Sequence, residues 1–204
     1  MRRIRFPTIA DVFDAYSDLD TVLRVKPSED EPIAYLERAL REGRADEAFD
    51  FCAFLLPRRE AVWWACRCLF ERDGGPARDE RTSWETAAAW VRTADDRRRR
   101  AAFDLCSGGD PSRAVTWLLW AVVWSGGPMD PTMAHPVAAP PDLCGKALRN
   151  ALTITRDTLD REGDRAAFVR LCVRLALEVA GGDDDVGAEA GAYLRARAEG
   201  GAPA

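Results

Sequence analysis

The sequence predicts an all-α protein: a single-domain, mostly antiparallel bundle of about eight helices, with a solenoid-like arrangement as the alternative. Three observations support this class. Apolar side chains recur at helical spacing along most of the chain, and capping residues and glycines separate the apolar stretches. Few segments alternate β-branched and polar residues before a hairpin turn. With 204 residues, 47% of them apolar, the chain is long enough to bury one core without staples.

The predicted organisation has three parts along the chain. They are an N-terminal helical segment, a helical core domain, and a short helix with a frayed tail: 1–28, 29–182 and 183–204. The first part contains a helix that Thr8 can cap, with apolar residues from Ile9 to Tyr16.

Within the core domain, most predicted helices begin at a capping residue or a first-turn proline. In chain order these start signals are Ser28 with Glu31, Pro57, Thr82 with Glu85, Asp95, Pro111, Asp142 and Asp164. Glycines mark several of the predicted helix ends: Gly43, Gly74, Gly108, Gly126, Gly163 and Gly181. We expect Gly126 and Gly127 to stop their helix in a left-handed conformation.

Tryptophan provides the first candidate binding residues, since the chain contains seven. The helix after Pro111 is apolar nearly all round and carries Trp117, Trp120 and Trp124 on neighbouring turns. A packed core is the leading interpretation, and a ligand pocket or peptide groove is the alternative. Trp64 lies off the main apolar stripe of its helix, which makes it the first candidate for a binding role.

A loop up to about Pro141 interrupts the helical pattern and contains five prolines. Proline fixes φ and removes a hydrogen-bond donor, so the loop should be extended and stiff. Loops of this length inside a compact domain are often functional. We therefore place the candidate binding residues around it, with Trp64 added: Trp64, Trp124, Ser125, Gly126, Gly127, His135 and Lys146.

Several kinds of chemistry are disfavoured at these positions. Gly145 and Lys146 do not form a phosphate-binding loop, because the upstream glycine, the following hydroxyl residue and the preceding strand are missing. Ser125 does not lie in a nucleophile elbow. His135 is the single histidine, and no cysteine pair has zinc-ligand spacing. We expect no catalytic residues, no metal and no cofactor, with a solvated His135 and a surface or capping Lys146.

Charge and composition limit the partners and the location. The net charge of −5 gives no general attraction to nucleic acid. The run from Arg97 to Arg100 fans out around a helix and should form a solvated face with local ion pairs. The longest apolar run, from Ala114 to Trp124, is too short to cross a bilayer. Six cysteines in apolar stretches are expected to be buried thiols, which is typical of a cytoplasmic protein.

Two stretches resemble a bacterial family of unknown function. One runs from Leu56 to Cys66 and contains Leu-Pro-Arg-Arg-Glu-Ala-Val-Trp-Trp; the other begins at Val123-Trp124-Ser125-Gly126-Gly127 and ends with Pro140-Pro141-Asp142-Leu143-Cys144-Gly145-Lys146-Ala147. The resemblance covers most of the chain after about Tyr35. It implies a role accessory to a bacterial secretion system, and it provides no catalytic residues.

Two functions follow from these observations. The leading hypothesis is a non-enzymatic adaptor, chaperone or scaffold that binds another protein, because the chain lacks a catalytic set and keeps a long loop beside aromatic helices. The alternative is a small-molecule or anion-binding enzyme with a site under the loop, formed by Ser125, His135 and Lys146.

Overall fold

The computed structural model describes residues 4–16, 18–182 and 185–198. These residues form eleven helices and no strand. The helices are α1 (Ile9–Ala15), α2 (Leu19–Val22), α3 (Pro32–Arg41), α4 (Ala45–Leu55), α5 (Arg58–Asp73), α6 (Arg81–Thr93), α7 (Asp96–Cys106), α8 (Ala114–Val123), α9 (Leu143–Asp157), α10 (Glu162–Gly181) and α11 (Val186–Ala198). The predicted all-α class is confirmed. The predicted number of about eight is too low, because a single turn such as α2 is too short to leave a periodic pattern.

Two of the predicted helix caps are confirmed. The Thr8 hydroxyl accepts a hydrogen bond from the Asp11 amide, and the Asp11 carboxylate accepts one from the Thr8 amide, which completes a capping box. The Asp95 carboxylate caps α7 by accepting a hydrogen bond from the Arg98 amide.

Four predicted helix starts are displaced from their predicted positions. α3 begins at Pro32, whose fixed φ suits a first helical residue, and α6 begins one residue before Thr82. α8 begins at Ala114, because a turn closed by Asp110 occupies the residues after Pro111. α10 begins at Glu162, so the predicted stop and cap at Gly163 and Asp164 lie within its first turn.

Helix α5 lies at the centre and packs against α6, α8, α9, α10 and α11. Its Trp63 and Trp64 are fully buried. The Trp64 indole donates a 2.8 Å hydrogen bond to the Cys172 carbonyl in α10, and the Trp84 indole of α6 donates a 2.9 Å bond to the Cys66 carbonyl in α5. Large apolar surface is thus buried while the indole N–H groups of Trp64 and Trp84 each keep a hydrogen-bond partner.

Helix α11, the predicted short C-terminal helix, packs against the core. Arg67 of α5 pairs with Glu189 of α11 and Glu178 of α10, and it also pairs with Glu71 on its own helix. The Tyr193 ring of α11 packs edge to face against Trp63, with ring centroids 5.1 Å apart.

The rest of the predicted tail, 183, 184 and 199–204, lies outside the described residues. In the described part of the chain, no helix has the length and apolar character needed to cross a membrane.

Candidate functional site

The segment between α8 and α9, residues 125–141, is called the proline loop below, and it folds back on itself. The Met129 amide donates to the Val137 carbonyl at 2.8 Å, and the Ala139 amide donates to the Gly127 carbonyl at 3.1 Å. These bonds place Pro128 and Ala138 in an isolated antiparallel bridge. The loop therefore has its own hairpin-like backbone structure instead of the simple extended path expected from its prolines.

One arginine holds both ends of the proline loop. Arg58, the first residue of α5, donates from Nη1 to the Ser125 carbonyl at 3.1 Å and from Nη2 to the Pro141 carbonyl at 3.4 Å. The Trp124 indole adds a 3.2 Å hydrogen bond to the Met129 carbonyl. Because a guanidinium is planar and rigid, these contacts fix the loop against the central helix of the core.

The sequence-predicted site residues have different environments. Trp124 is half-buried and stacks on Trp120, with ring centroids 4.9 Å apart. The Ser125 hydroxyl donates a 2.6 Å hydrogen bond to the Val122 carbonyl at the end of α8. His135 is exposed on the loop. Trp64 is buried in the core, with none of its surface exposed, so it takes no part in a surface site.

Gly126 and Gly127 are not the helix stop that was expected, because α8 ends at Val123 with Trp124 as its C-cap. Neither has a positive φ, so the expected left-handed conformation is wrong. Instead, the Arg99 side chain of α7 lies against them: a Cβ on Gly127 would lie 3.0 Å from Arg99 Nε, and one on Gly126 would lie 3.5 Å from Nη1. The two glycines leave room for this guanidinium.

The Gly145-Lys146 pair has a structural explanation. A Cβ on Gly145 would lie 2.7 Å from the buried Phe54 ring and 3.0 Å from the Ala53 carbonyl oxygen, so the glycine allows α9 to approach α4 closely. The Lys146 ammonium pairs with Asp142, one turn earlier, at 2.5 Å. Both residues therefore serve packing and local charge pairing at the start of α9.

A cavity of about 150 Å³ lies between the proline loop and α7. Three loop prolines, three charged residues of α7 and one residue of α8 line it: Pro128, Pro131, Pro136, Asp96, Arg99, Arg100 and Val123. Ser125, His135 and Lys146 do not line this cavity. Among the described residues, no group of three His, Cys, Asp or Glu side chains is arranged to hold a metal ion.

The proline loop exposes Met129, Met133 and Val137, to 43%, 56% and 64%. We call these three side chains the loop face. The described residues include one further exposed large apolar side chain, Leu105 of α7. The chain has three methionines, of which Met1 lies outside the described residues, so both internal methionines are on the loop face. Neither of these two methionines lies in the core.

Sequence reasoning missed the loop face, as well as Arg58, Arg99 and Arg100. One signal was present in the sequence: both internal methionines fall within one proline-rich loop. The arginine contacts had no such signal, since each joins residues far apart in the chain.

Hydrogen peroxide is expected to oxidise the two methionines of the loop face before any cysteine. Hydrogen peroxide transfers one oxygen atom to a thioether sulfur and leaves as water. Met129 and Met133 are exposed, whereas all six cysteines are buried, and burial raises the pKa of the Cys106 and Cys144 thiols to about 12. Peptide mass spectrometry of the treated protein should show sulfoxide at Met129 and Met133 while the cysteines stay reduced. Earlier oxidation of the cysteines would contradict the exposure described here.

A family profile matches residues 35–180, and the chain therefore belongs to a family of unknown function, DUF6931. The matched region begins in α3 and ends in α10, so it contains the proline loop and the α7 arginines. No curated protein and no solved structure matches the chain.

Proposed function

We propose that this member of DUF6931 is a non-enzymatic adaptor, chaperone or scaffold that binds another protein through the loop face. The observation that carries the proposal is the exposure of both internal methionines and Val137 on a loop that is held at both ends. Methionine is flexible and polarisable, and it is frequent at surfaces that adapt to a protein partner.

The rigidity of the loop supports the same function. Binding orders side chains and loops at an interface, and that ordering reduces affinity. Here the bonds between Met129 and Val137 and between Ala139 and Gly127 already order the backbone, and Arg58 fixes both ends. A partner would therefore meet apolar side chains on an ordered backbone.

The contacts of the three residues considered for catalysis also favour a binding role. The Ser125 hydroxyl donates to a helix carbonyl, and the Lys146 ammonium pairs with Asp142. A general base needs to be within hydrogen-bond reach of its nucleophile, and no hydrogen bond joins His135 to Ser125 among the described contacts.

The test compares affinity capture by the wild-type protein and by a variant with Met129→Ser, Met133→Ser and Val137→Ser. The variant should lose a partner that the wild type retains, because its exposed apolar area is removed. Leu105→Ser is the matched control, since it removes an exposed apolar residue elsewhere on the protein and should retain the partner. The captured protein is then purified and titrated by calorimetry against all three proteins. Equal affinity for the wild type and the triple variant would contradict the proposal.

A further inference from the structure

The cavity beside the loop face is lined by two arginines and Asp96 of α7 on one side and by three prolines on the other. Four arginines follow one another at the start of α7: Arg97, Arg98, Arg99 and Arg100. Arg98 pairs with Asp95 and Arg99 pairs with Asp96, whereas no carboxylate among the described residues pairs with Arg100. Of the two arginines that line the cavity, Arg100 therefore has no counter-charge within the described part of the chain.

The second arginine in the cavity is only partly compensated. The Arg99 side chain is 19% exposed, and its partner Asp96 is 78% exposed, so the carboxylate lies mostly in water while the guanidinium is mostly covered. Burial lowers the pKa of Arg99, and the neighbouring charge of Arg100 lowers it further. An additional anion near the two arginines would favour the charged form of Arg99 and offset the repulsion from Arg100.

The cavity walls restrict what can enter. Pro128, Pro131 and Pro136 have no backbone N–H, so the proline wall offers an anion no backbone donor and the charged donors are the two arginines. A volume of about 150 Å³ accommodates a single side chain, not a folded segment. Met129 and Met133, on the same loop, favour an apolar neighbour beside that side chain.

We propose that the cavity binds an acidic side chain of the partner, so that the partner is a peptide segment with a carboxylate next to apolar residues. This inference rests on the proposed function, because the same partner must cover the loop face. Arginine binds a carboxylate through paired, charge-assisted hydrogen bonds, and two arginines line the cavity. A nucleic-acid strand is a poorer fit, since it needs a basic track and the protein has a net charge of −5.

The test is selection from a random twelve-residue peptide library displayed on phage, followed by fluorescence anisotropy with the selected peptides. Selected peptides should contain Asp or Glu beside apolar residues. Arg100→Gln should weaken their binding about tenfold, the effect expected when one charge-assisted hydrogen-bond partner is lost. Arg97→Gln is the matched control, because it removes the same charge from the same run outside the cavity, and it should change binding less than about twofold.

The other outcomes would overturn this inference, the proposed function, or both. Peptides that bind without an acidic residue, or that bind Arg100→Gln as well as the wild type, would overturn the acidic-side-chain proposal and leave the loop face as a binding surface. Selected peptides whose binding is unaffected by the triple loop-face variant would overturn the proposed function and this inference with it. A twelve-nucleotide single-stranded DNA that displaces the peptides, and that binds Arg97→Gln and Arg100→Gln equally weakly, would overturn the acidic-side-chain proposal in favour of nucleic acid.

Discussion

Replacement of Trp64 by alanine is expected to lower the free energy of unfolding by about 4 kcal/mol. The indole is fully buried at the centre of the helical core, so its removal leaves a large cavity between α5 and α10. The variant also loses the 2.8 Å hydrogen bond from the indole to the Cys172 carbonyl. Urea denaturation followed by circular dichroism measures the change, and a loss of this size is a large part of the stability of a typical domain.

Trp117→Ala is the matched control for this prediction. Its ring is half-buried, and its indole bonds to the Pro111 carbonyl near the surface, so we expect a loss of about 1–2 kcal/mol. Equal losses in the two variants would mean that Trp64 is not in the interior.

Gly145→Ala is expected to destabilise the protein by about 3 kcal/mol, although alanine is the better helix former. The new methyl group would lie 2.7 Å from two atoms of the Phe54 ring and 3.0 Å from a backbone oxygen. Phe54 is itself buried among other core residues, so neither neighbour can move away cheaply. The helices α4 and α9 must then separate, and the same denaturation experiment measures the cost.

Gly163→Ala is expected to change the stability in the opposite direction. Gly163 also lies inside a helix, α10, but a Cβ added there would meet no heavy atom within 4 Å. Alanine should therefore stabilise the protein by about 0.5 kcal/mol through its helix propensity and the smaller entropy of the unfolded chain. A stability gain in both glycine variants would rule out the close approach of α9 to α4.

The fold class could be predicted from the sequence because helical periodicity and capping are local. Thr8 and Asp95 cap the helices that they were predicted to cap, since each acts on an amide three residues away. The start of α8 could not be predicted in the same way. Pro111 suits a first helical turn, but the Asp110 turn competes for the same residues and delays the helix to Ala114.

The position of the candidate site along the chain was predictable, but the contacts that form it were not. The proline content identified the loop, and three candidate residues, Ser125, Gly126 and Gly127, lie at its start. The contacts that fix the loop join distant residues, such as Arg58 to Ser125 and Arg99 to Gly127, and no local pattern encodes them. Trp64 shows the same limit: its place off the apolar stripe suggested a binding role, but α10 covers that side of α5.

The proposed function requires the proline loop to be ordered before any partner binds. Amide hydrogen exchange of the free protein, read by NMR at Met129 and Ala139, tests it most directly, because both amides donate across the loop. We expect exchange at least about tenfold slower than in an unstructured peptide, with faster exchange in an Arg58→Leu variant. Exchange of both amides at the unstructured rate in the wild-type protein would contradict the proposed function.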